Sequence, residues 1–265
     1  MRIVYGRAME SDLEIARRAE LHPITDVAES IGIESDDLQL HGPHIAKVAW
    51  NRLSGIDGSR RGKLILVTSV NPTPFGEGKT VTTIGLNQGL NRIGKRACCV
   101  IREPSMGPVF GIKGGAAGGG YSQVLPMEDI NLHFTGDLHA VSMAHNLLSA
   151  MLDNHLNRGN VLNIDVESVF WPRVIDMNDR SLRSITIGQG SRVNGPVRAD
   201  RFDITAASEV MAILALSKNY SDLRKRLGSI IVAADVEGAP VTADDLEAGG
   251  AMALLLRTAF LPNLV

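Results

Sequence analysis

One short loop contains the residue types that could bind the phosphates of a nucleotide. Backbone N–H groups in such a loop, and those that open the helix after it, point at one place, where the helix dipole adds positive charge for an anion. Lys79 would supply a full charge for the outer phosphates, and the Thr80 hydroxyl would bind Mg²⁺. We therefore predict a nucleotide-phosphate site. Its residues are Thr73, Pro74, Phe75, Gly76, Glu77, Gly78, Lys79 and Thr80.

The loop departs from the usual pattern, GxxxxGK[ST], at its first position. The first glycine would fall at residue 73, which is Thr73, and Pro74 stiffens the chain after it. The alternative is a glycine-rich turn with an exposed lysine. The apolar run before the loop and the helix-like run after it favour the phosphate site.

The elements around the loop predict a parallel βαβ unit. Residues 64–67 are apolar without polar alternation, which is typical of a strand buried on both faces. A helix over 79–93 follows, with Gly94 in the position of a C-terminal cap, and residues 96–101 suggest a second buried strand. Parallel pairing of two such strands would place ligands at their carboxyl ends.

Arg102 and Glu103 follow the second predicted strand, and a glycine-rich stretch comes after them. Seven glycines among the fourteen residues 107–120 exclude a stable helix or strand. Phe110 and Ile112 favour a loop pressed against a ligand or another backbone. A flexible linker stays open as the alternative.

The chain as a whole predicts an α/β protein of P-loop NTPase-like class, with a mostly parallel sheet flanked by helices. Residues 1–60 are predicted as a helical N-terminal extension, in which 45–53 form one short helix. Residues 61–160 are predicted as the nucleotide-binding core, and 161–265 as a continuing, partial α/β region.

Three polar residues further along the chain have structural interpretations. Residues 137–157 predict a long amphipathic helix that Asp137 is placed to cap. His145 falls on the apolar stripe of that helix, which favours a hydrogen-bonded core histidine over a metal ligand. Asp235 ends an apolar strand, as a Mg²⁺ ligand would, but the Glu237-Gly238 pair after it suggests a plain turn.

Composition narrows the expected partners and compartment. A net charge of −2, with 44% hydrophobic and 21% charged residues, gives no electrostatic reason to expect nucleic acid. No apolar run approaches the about 18 residues that a membrane helix needs, and the first residues lack the apolar stretch of a signal peptide. The two cysteines, Cys98 and Cys99, are adjacent and suit small buried hydrophobes, so we expect a reducing cytoplasm.

Four segments stand in a characteristic order and spacing: TPFGEGKT at 73–80, REPS at 102–105, GIKGGAAGGGY at 111–121 and PMEDINLHFTGD at 126–137. Together they closely resemble the formate–tetrahydrofolate ligase family. Two later runs, FDIT at 202–205 and ASEVMA at 207–212, are similar to the same family. The resemblance covers nearly the whole chain from Gly62 onward, and the later segments are more specific than the phosphate loop alone.

The resemblance implies an ATP-dependent ligation with formate and tetrahydrofolate as substrates. Formate would attack the γ-phosphorus of MgATP to give formyl phosphate, and the N10 amine of tetrahydrofolate would attack the formyl carbon as phosphate leaves. The first step brings an anion against a polyanion, so positive charge must be concentrated at the transferring phosphoryl group. Lys79, and Thr80 with Mg²⁺, fit that need.

The resemblance also implies roles outside the loop. Arg102 would hold formate and the phosphoryl oxygens, and Glu103 would orient Arg102 or help to bind the monovalent cation, K⁺ or NH₄⁺, that activates the family. Asp137 matches a residue near the formyl-transfer centre and could take the amine proton. The alternatives are a surface ion pair between Arg102 and Glu103, and an Asp137 that only caps its helix.

Length is where the chain departs from the family. Members are considerably longer, and their adenine and pterin contacts lie largely beyond residue 265. We therefore expect a truncated ligase that holds the phosphate and formate half of the site, with its activity alone an open question. The resemblance also implies a homo-oligomer, typically a tetramer. Two other functions stay open: a P-loop ATPase module that switches partner binding, and a non-catalytic assembly fragment.

Overall fold

The computed structural model describes residues 10–54, 62–71, 73, 76–110 and 117–265. These residues divide into two compact units. The first, here called the loop unit, comprises the described parts of Met1–Pro104 and Pro108–Phe134, together with Leu261–Val265. The second, the core unit, comprises Ser105–Gly107 and Thr135–Phe260.

The described residues contain ten α-helices, and α4 and α7 are the longest. The helices are Asp12–Arg18 (α1), Ile24–Ser30 (α2), Trp50–Ser54 (α3), Lys79–Arg92 (α4), Met106–Val109 (α5), Met127–Asn131 (α6), Asp137–Asn157 (α7), Glu209–Leu216 (α8), Tyr220–Gly228 (α9) and Gly249–Leu255 (α10). Four short 3₁₀ turns stand at Ser35–Asp37, Arg180–Arg183, Arg192–Asn194 and Thr205–Ala207. None of these described helices combines the length and the apolarity that crossing a bilayer requires.

The described strands are short and form five small sheets. They are Leu38–Leu40 (β1), Ala46–Val48 (β2), Gly118–Gly119 (β3), Ser122–Gln123 (β4), Ile164–Val169 (β5), Arg173–Ile175 (β6), Ile185–Ile187 (β7), Arg198–Asp200 (β8), Phe202–Ile204 (β9), Ile231–Asp235 (β10), Pro240–Thr242 (β11) and Asn263–Leu264 (β12). Their orders are β1-β2-β12, β11-β10-β5, β3-β4, β6-β9 and β7-β8. Among these pairings, the β6-β9 pair is parallel and the others are antiparallel.

The mixed α/β class is confirmed, but a mostly parallel sheet is not found in the part of the chain that the structure describes. The predicted strands at 64–67 and 96–101 are not strands there, and Leu64 and Val100 are 95% and 91% exposed. Cys98 is likewise exposed rather than buried. An apolar run becomes a strand only where a neighbouring chain pairs with its N–H and C=O groups, and neither segment has such a ladder among the described residues.

The N-terminal region was predicted to be helical, and it also contains strands. Helices α1, α2 and α3 are present, but residues 46–48 form β2 instead of part of a helix over 45–53. All residues of β2 are buried because it lies between β1 and β12 in its sheet. A short apolar segment of this kind can form either a strand or a helix. Here the pairing with residues 263–264 stabilises a strand.

The core unit is built around α7, whose predicted bounds are confirmed. Its stripe of Val141, Ala144, Leu148 and Leu152 is fully buried at the helical spacing of three and four residues. These side chains belong to one apolar cluster with residues of β10, α9 and α10. Burial of that stripe, rather than helix propensity, is the main source of stability for a helix of this length.

His145 is a hydrogen-bonded core residue, as predicted. Its Nε2 lies 2.8 Å from the carbonyl oxygen of Pro172, so Nε2 carries the hydrogen and donates it. Its Nδ1, 2.8 Å from Ser208 Oγ, therefore accepts from that hydroxyl. The imidazole ring stacks on Trp171 with ring centroids 4.0 Å apart. Burial of the ring lowers the pKa of His145 to about 4, so the side chain is neutral at physiological pH.

Candidate phosphate-binding site

The turn from the loop into α4 requires glycine at two positions. Gly76 has φ +84° and Gly78 has φ +70°, both in the left-handed region that side chains disfavour. Gly78 is the N-cap of α4, and because it has no side chain, it supplies no oxygen to the N–H groups of the first turn. These amides and the dipole of the fourteen-residue helix are the features with which a helix N-terminus binds an anion.

The loop side chains converge on Glu77. Its carboxylate accepts hydrogen bonds from the backbone N–H of Thr73 and from the ammonium group of Lys79. Lys79 Nζ also donates to Ser69 Oγ at 3.1 Å, and the Thr73 hydroxyl donates to the carbonyl oxygen of Gly76 at 3.1 Å. The loop is thus closed by its own polar groups from its first residue to Lys79.

These contacts favour the ionised form of the carboxyl group. The hydrogen bond from Lys79 holds the pKa of Glu77 below its usual value, and the N–H of Thr73 acts in the same direction. The carboxyl side chain is 15% exposed, while that of Lys79 is 45% exposed. Lys79 can therefore reach a ligand from its exposed side. Pro74 and Phe75, the other predicted loop residues, lie outside the described part of the chain.

Thr80 is the second residue of α4 and is half-buried. Its hydroxyl is chemically suited to bind Mg²⁺, a hard cation that prefers oxygen ligands. No group of three or more His, Cys, Asp or Glu side chains that could hold a metal occurs within the described residues.

Arg102 and Glu103 belong to the loop unit, as Lys79 does. Arg102 is exposed and Glu103 is half-buried, in an extended segment that follows residues 96–101. Among the hydrogen bonds and ion pairs of the described residues, none joins Arg102 to the loop. The structure therefore brings Thr73, Glu77 and Lys79 together, and the approach of Arg102 to a bound phosphate stays a prediction.

Asp137 lies in the core unit, where it is the first residue of α7 and is buried. Its Oδ2 accepts a hydrogen bond from the Thr135 hydroxyl at 3.1 Å. The N-cap of α7 is Gly136, with φ +83°, so the prediction that Asp137 is the cap is wrong by one position. An acidic group in the first turn still stabilises the helix through its dipole.

Asp235 is a turn residue, which favours the structural interpretation over a Mg²⁺ ligand. Its Oδ1 accepts from the N–H groups of Glu237 and Ala239 at 2.9 and 2.8 Å, and so closes the turn between β10 and β11. A carboxylate oxygen that already accepts two backbone hydrogen bonds is positioned to shape the turn.

Residues 117–120 of the glycine-rich stretch pack closely on α4, as predicted for a segment against another backbone. The predicted exclusion of helix and strand is wrong in the described part, because Met106–Val109 form α5 and Gly118–Gly119 form β3, which is held by pairing with β4. A Cβ atom added at Gly118 would lie 1.9 Å from the carbonyl oxygen of Ser122 and 2.9 Å from Ile84 Cδ1. On the helix side, Gly85 leaves room for the Ser122 hydroxyl, and Gln88 Nε2 donates to the Tyr121 carbonyl oxygen at 2.9 Å. The hairpin of β3 and β4 is therefore seated against the helix that begins at the phosphate loop.

Asp12 also binds this hairpin, and the sequence analysis did not predict that contact. Its Oδ1 accepts from the N–H of Gly120 at 2.8 Å, and Gln123 Nε2 donates to its backbone carbonyl at 2.9 Å. Ser11 and Glu14 form a capping box, which predicts the start of α1. A local signal of this kind cannot identify a partner 108 positions away.

Comparison with known proteins gives one consistent result. The chain matches the family described as formate–tetrahydrofolate ligase over residues 10–265. Two curated relatives bear the name formate–tetrahydrofolate ligase, one from Roseiflexus castenholzii (strain DSM 13941 / HLO8) and one from Roseiflexus sp. (strain RS-1). They are 58% and 59% identical to it over 257 residues, which is 97% of this chain and 46% of each relative. The chain thus spans about half the length of the curated relatives it matches.

Proposed function

The chain belongs to the formate–tetrahydrofolate ligase family, and from this premise we propose that residues 73–80 bind the phosphates of MgATP for the ligation of formate to tetrahydrofolate. The observation that supports this most is the ring of contacts in which Glu77 accepts from the Thr73 N–H and from Lys79. A carboxylate held by a loop amide and a lysine marks donors that are directed at an anion. We also propose a P-loop NTPase-like arrangement here, in which an extended apolar segment leads through the loop into α4.

MgATP would supply the phosphoryl group that activates formate. Lys79, the loop amides and the first N–H groups of α4 would withdraw charge from the phosphoryl oxygens as the formate oxygen bonds to the γ-phosphorus and the bond to ADP breaks. Thr80 would hold the Mg²⁺ ion, which would supply further positive charge at the phosphates. The formyl phosphate so formed would lose phosphate when the amine of tetrahydrofolate bonds to the formyl carbon.

The remaining site residues have proposed roles that rest on family membership. Arg102 would contact formate and the phosphoryl oxygens through its planar guanidinium group. Glu103 would orient Arg102 or bind the K⁺ or NH₄⁺ ion, and Asp137 would accept the proton that the amine loses. A homo-oligomer and a cytoplasmic location complete the proposal.

A pair of lysine variants tests the phosphate site. We expect Lys79→Met to weaken MgATP binding at least about tenfold in calorimetry, because a hydrogen-bonded charge contact to phosphate is lost. Lys95 is an exposed lysine just beyond the other end of α4, and Lys95→Met is the matched control that should bind like the unaltered protein. Equal MgATP affinities of the two variants would contradict the proposal that this loop binds the phosphates.

Phosphate release from MgATP separates the possible activities. Release that requires formate, and rises again with tetrahydrofolate, would support the ligase. Hydrolysis that is indifferent to formate would indicate an ATPase module instead. Absence of nucleotide binding would indicate an assembly fragment.

A further inference from the structure

Glu77 makes the two kinds of hydrogen bond that a phosphate oxygen would make in this loop. One is to a backbone N–H, that of Thr73, and the other is to the ammonium group of Lys79. The carboxyl group lies within the loop that the proposed function assigns to the phosphates, and it is mostly covered by protein. A carboxylate and a phosphate oxygen are both anionic acceptors and suit the same donors.

Lys79 carries one positive charge, and Glu77 and Ser69 already take two of the three hydrogens of its ammonium group, so a phosphate and the Glu77 carboxylate compete for that charge. Its remaining described partner, Ser69 Oγ, is neutral and would not hinder a phosphate. If Lys79 keeps its bond to Glu77, a phosphate meets a charge that is already neutralised and a carboxylate that repels it. A phosphate that binds fully must therefore draw Lys79 away from Glu77.

We propose that Glu77 is an internal counter-ion of the phosphate loop, which holds Lys79 and the Thr73 N–H while the loop is empty and releases Lys79 when the phosphates of a nucleotide bind. The inference rests on the proposed function of the loop. The carboxylate also holds residue 73 through its backbone N–H.

If Lys79 is released from Glu77, the protein should take up protons when MgATP binds. The empty loop holds the pKa of Glu77 low through Lys79, and the occupied loop replaces that cation with phosphate charge, so the pKa rises. Between the two values the occupied state binds more protons than the empty state, so MgATP binding takes up protons and strengthens as the pH falls through this window. The protonation of the nucleotide itself is common to all variants and cancels in their comparison.

The test is calorimetry of MgATP and of inorganic phosphate binding to the intact chain, near the carboxyl pKa range at about pH 5 and again at about pH 7, in buffers of different ionisation enthalpy. Glu77→Gln keeps an acceptor oxygen for the Thr73 N–H but loses the charge. We expect it to bind both ligands about tenfold more tightly than the unaltered chain at about pH 7 and to lose the extra proton uptake. Glu29→Gln, an exposed substitution on α2, is the matched control and should change neither quantity.

Each outcome decides one question. Binding by the unaltered chain, with equal affinity and equal proton uptake for Glu77→Gln, overturns the counter-ion. No binding by either protein overturns the proposed function of the loop. Binding by the variant alone supports the counter-ion in its strongest form. If Glu77→Gln does not fold, carbon NMR titration of the Glu77 carboxyl group in Lys79→Gln decides instead, since the pKa of Glu77 must rise in that variant and an unchanged value contradicts the inference.

Discussion

The core unit and the loop unit differ in how far they bury their apolar residues. In the core unit, α7 lies within one continuous cluster, and Leu148 on that helix is fully buried. In the loop unit, the apolar segment that leads into the phosphate loop is open, with Leu66 80% and Val70 98% exposed. The large apolar cluster thus lies in one unit and the predicted phosphate loop in the other. Substitutions should therefore separate into those that change folding and those that change binding.

The largest effect is expected from a matched pair of leucines, one in each unit. Leu148→Ala should destabilise the core unit by about 2 to 5 kcal/mol, because it removes buried methyl groups and leaves a cavity. Leu66→Ala, at an exposed position, should change stability by less than about 0.5 kcal/mol. Urea denaturation followed by far-ultraviolet circular dichroism, which reports on the helices of both units, measures both. Similar losses of stability in the two variants would contradict the difference in burial between the two units.

The next effect is the pH dependence that His145 contributes to the stability of the core unit. The pKa of His145 is lowered from 6.5 to about 4, so the unfolded chain binds more protons between these values. The contribution of His145 to the free energy of unfolding is fully present above the pKa of the unfolded chain, 6.5. It is lost as the pH drops towards about 4, by on the order of 3 kcal/mol in total. Denaturation of the protein at a series of pH values measures this loss.

Two histidine variants isolate that dependence. His145→Gln should begin less stable and should lack this part of the pH dependence. His139→Gln, an exposed change on the same helix, should retain it. A slope that persists unchanged in His145→Gln would assign the dependence to other groups.

A smaller effect is expected where the glycine hairpin meets α4 in the loop unit. Gly118→Ala should destabilise the hairpin by about 2 kcal/mol or more, because the new Cβ would overlap the Ser122 carbonyl oxygen at a backbone angle that disfavours side chains. Gly120 also has a positive φ but has no atom within 4 Å of an added Cβ. Gly120→Ala should therefore be milder, at about 1 kcal/mol.

Hydrogen exchange of the α4 amides measures the consequence for the phosphate loop. Faster exchange in Gly118→Ala than in Gly120→Ala would show that the hairpin steadies the helix. Equal exchange rates in the two variants would mean that the hairpin and the helix are independent.

The smallest effect is expected at Asp12. Asp12→Ala removes the acceptor for the Gly120 N–H and should reduce stability by about 1 kcal/mol. Asp26→Ala, at an exposed position of α2 in the same unit, serves as a comparison. Weaker MgATP binding in Asp12→Ala, with no change in Asp26→Ala, would connect α1 to the phosphate loop through the hairpin. Unchanged binding would limit Asp12 to a local role.

Local patterns were sufficient where the chain itself contains the determining interaction. The start of α4 at Lys79 was predicted from the helix-like run after the loop, and the bounds of α7 from its apolar stripe, although the cap of α7 is Gly136 and not Asp137. The left-handed conformation of Gly94 after α4 also agrees with the predicted cap.

The wrong predictions concern residues whose secondary structure depends on partners that are distant in the sequence. Residues 64–67 and 96–101 have strand-like composition, but pairing decides whether a segment is a strand. The same holds for β2, which pairs with β12 more than 200 positions later in the chain. For the candidate site, the sequence predicts Lys79 and Thr80 as phosphate and Mg²⁺ contacts, and these roles stay predictions. It did not identify the contact of Glu77 with Lys79 or the hold of Asp12 on the hairpin, because both depend on the folded geometry.

Titration of MgATP into the isotopically labelled chain, followed through the backbone amide resonances, tests the central claim most directly. If the loop binds the phosphates, the amides of Gly78, Lys79 and Thr80 should show the largest shifts, because they open α4 towards the anion. The shifts should be much smaller in Lys79→Met. Saturable binding that leaves these three amides unmoved, with the largest shifts in the core unit, would contradict the account.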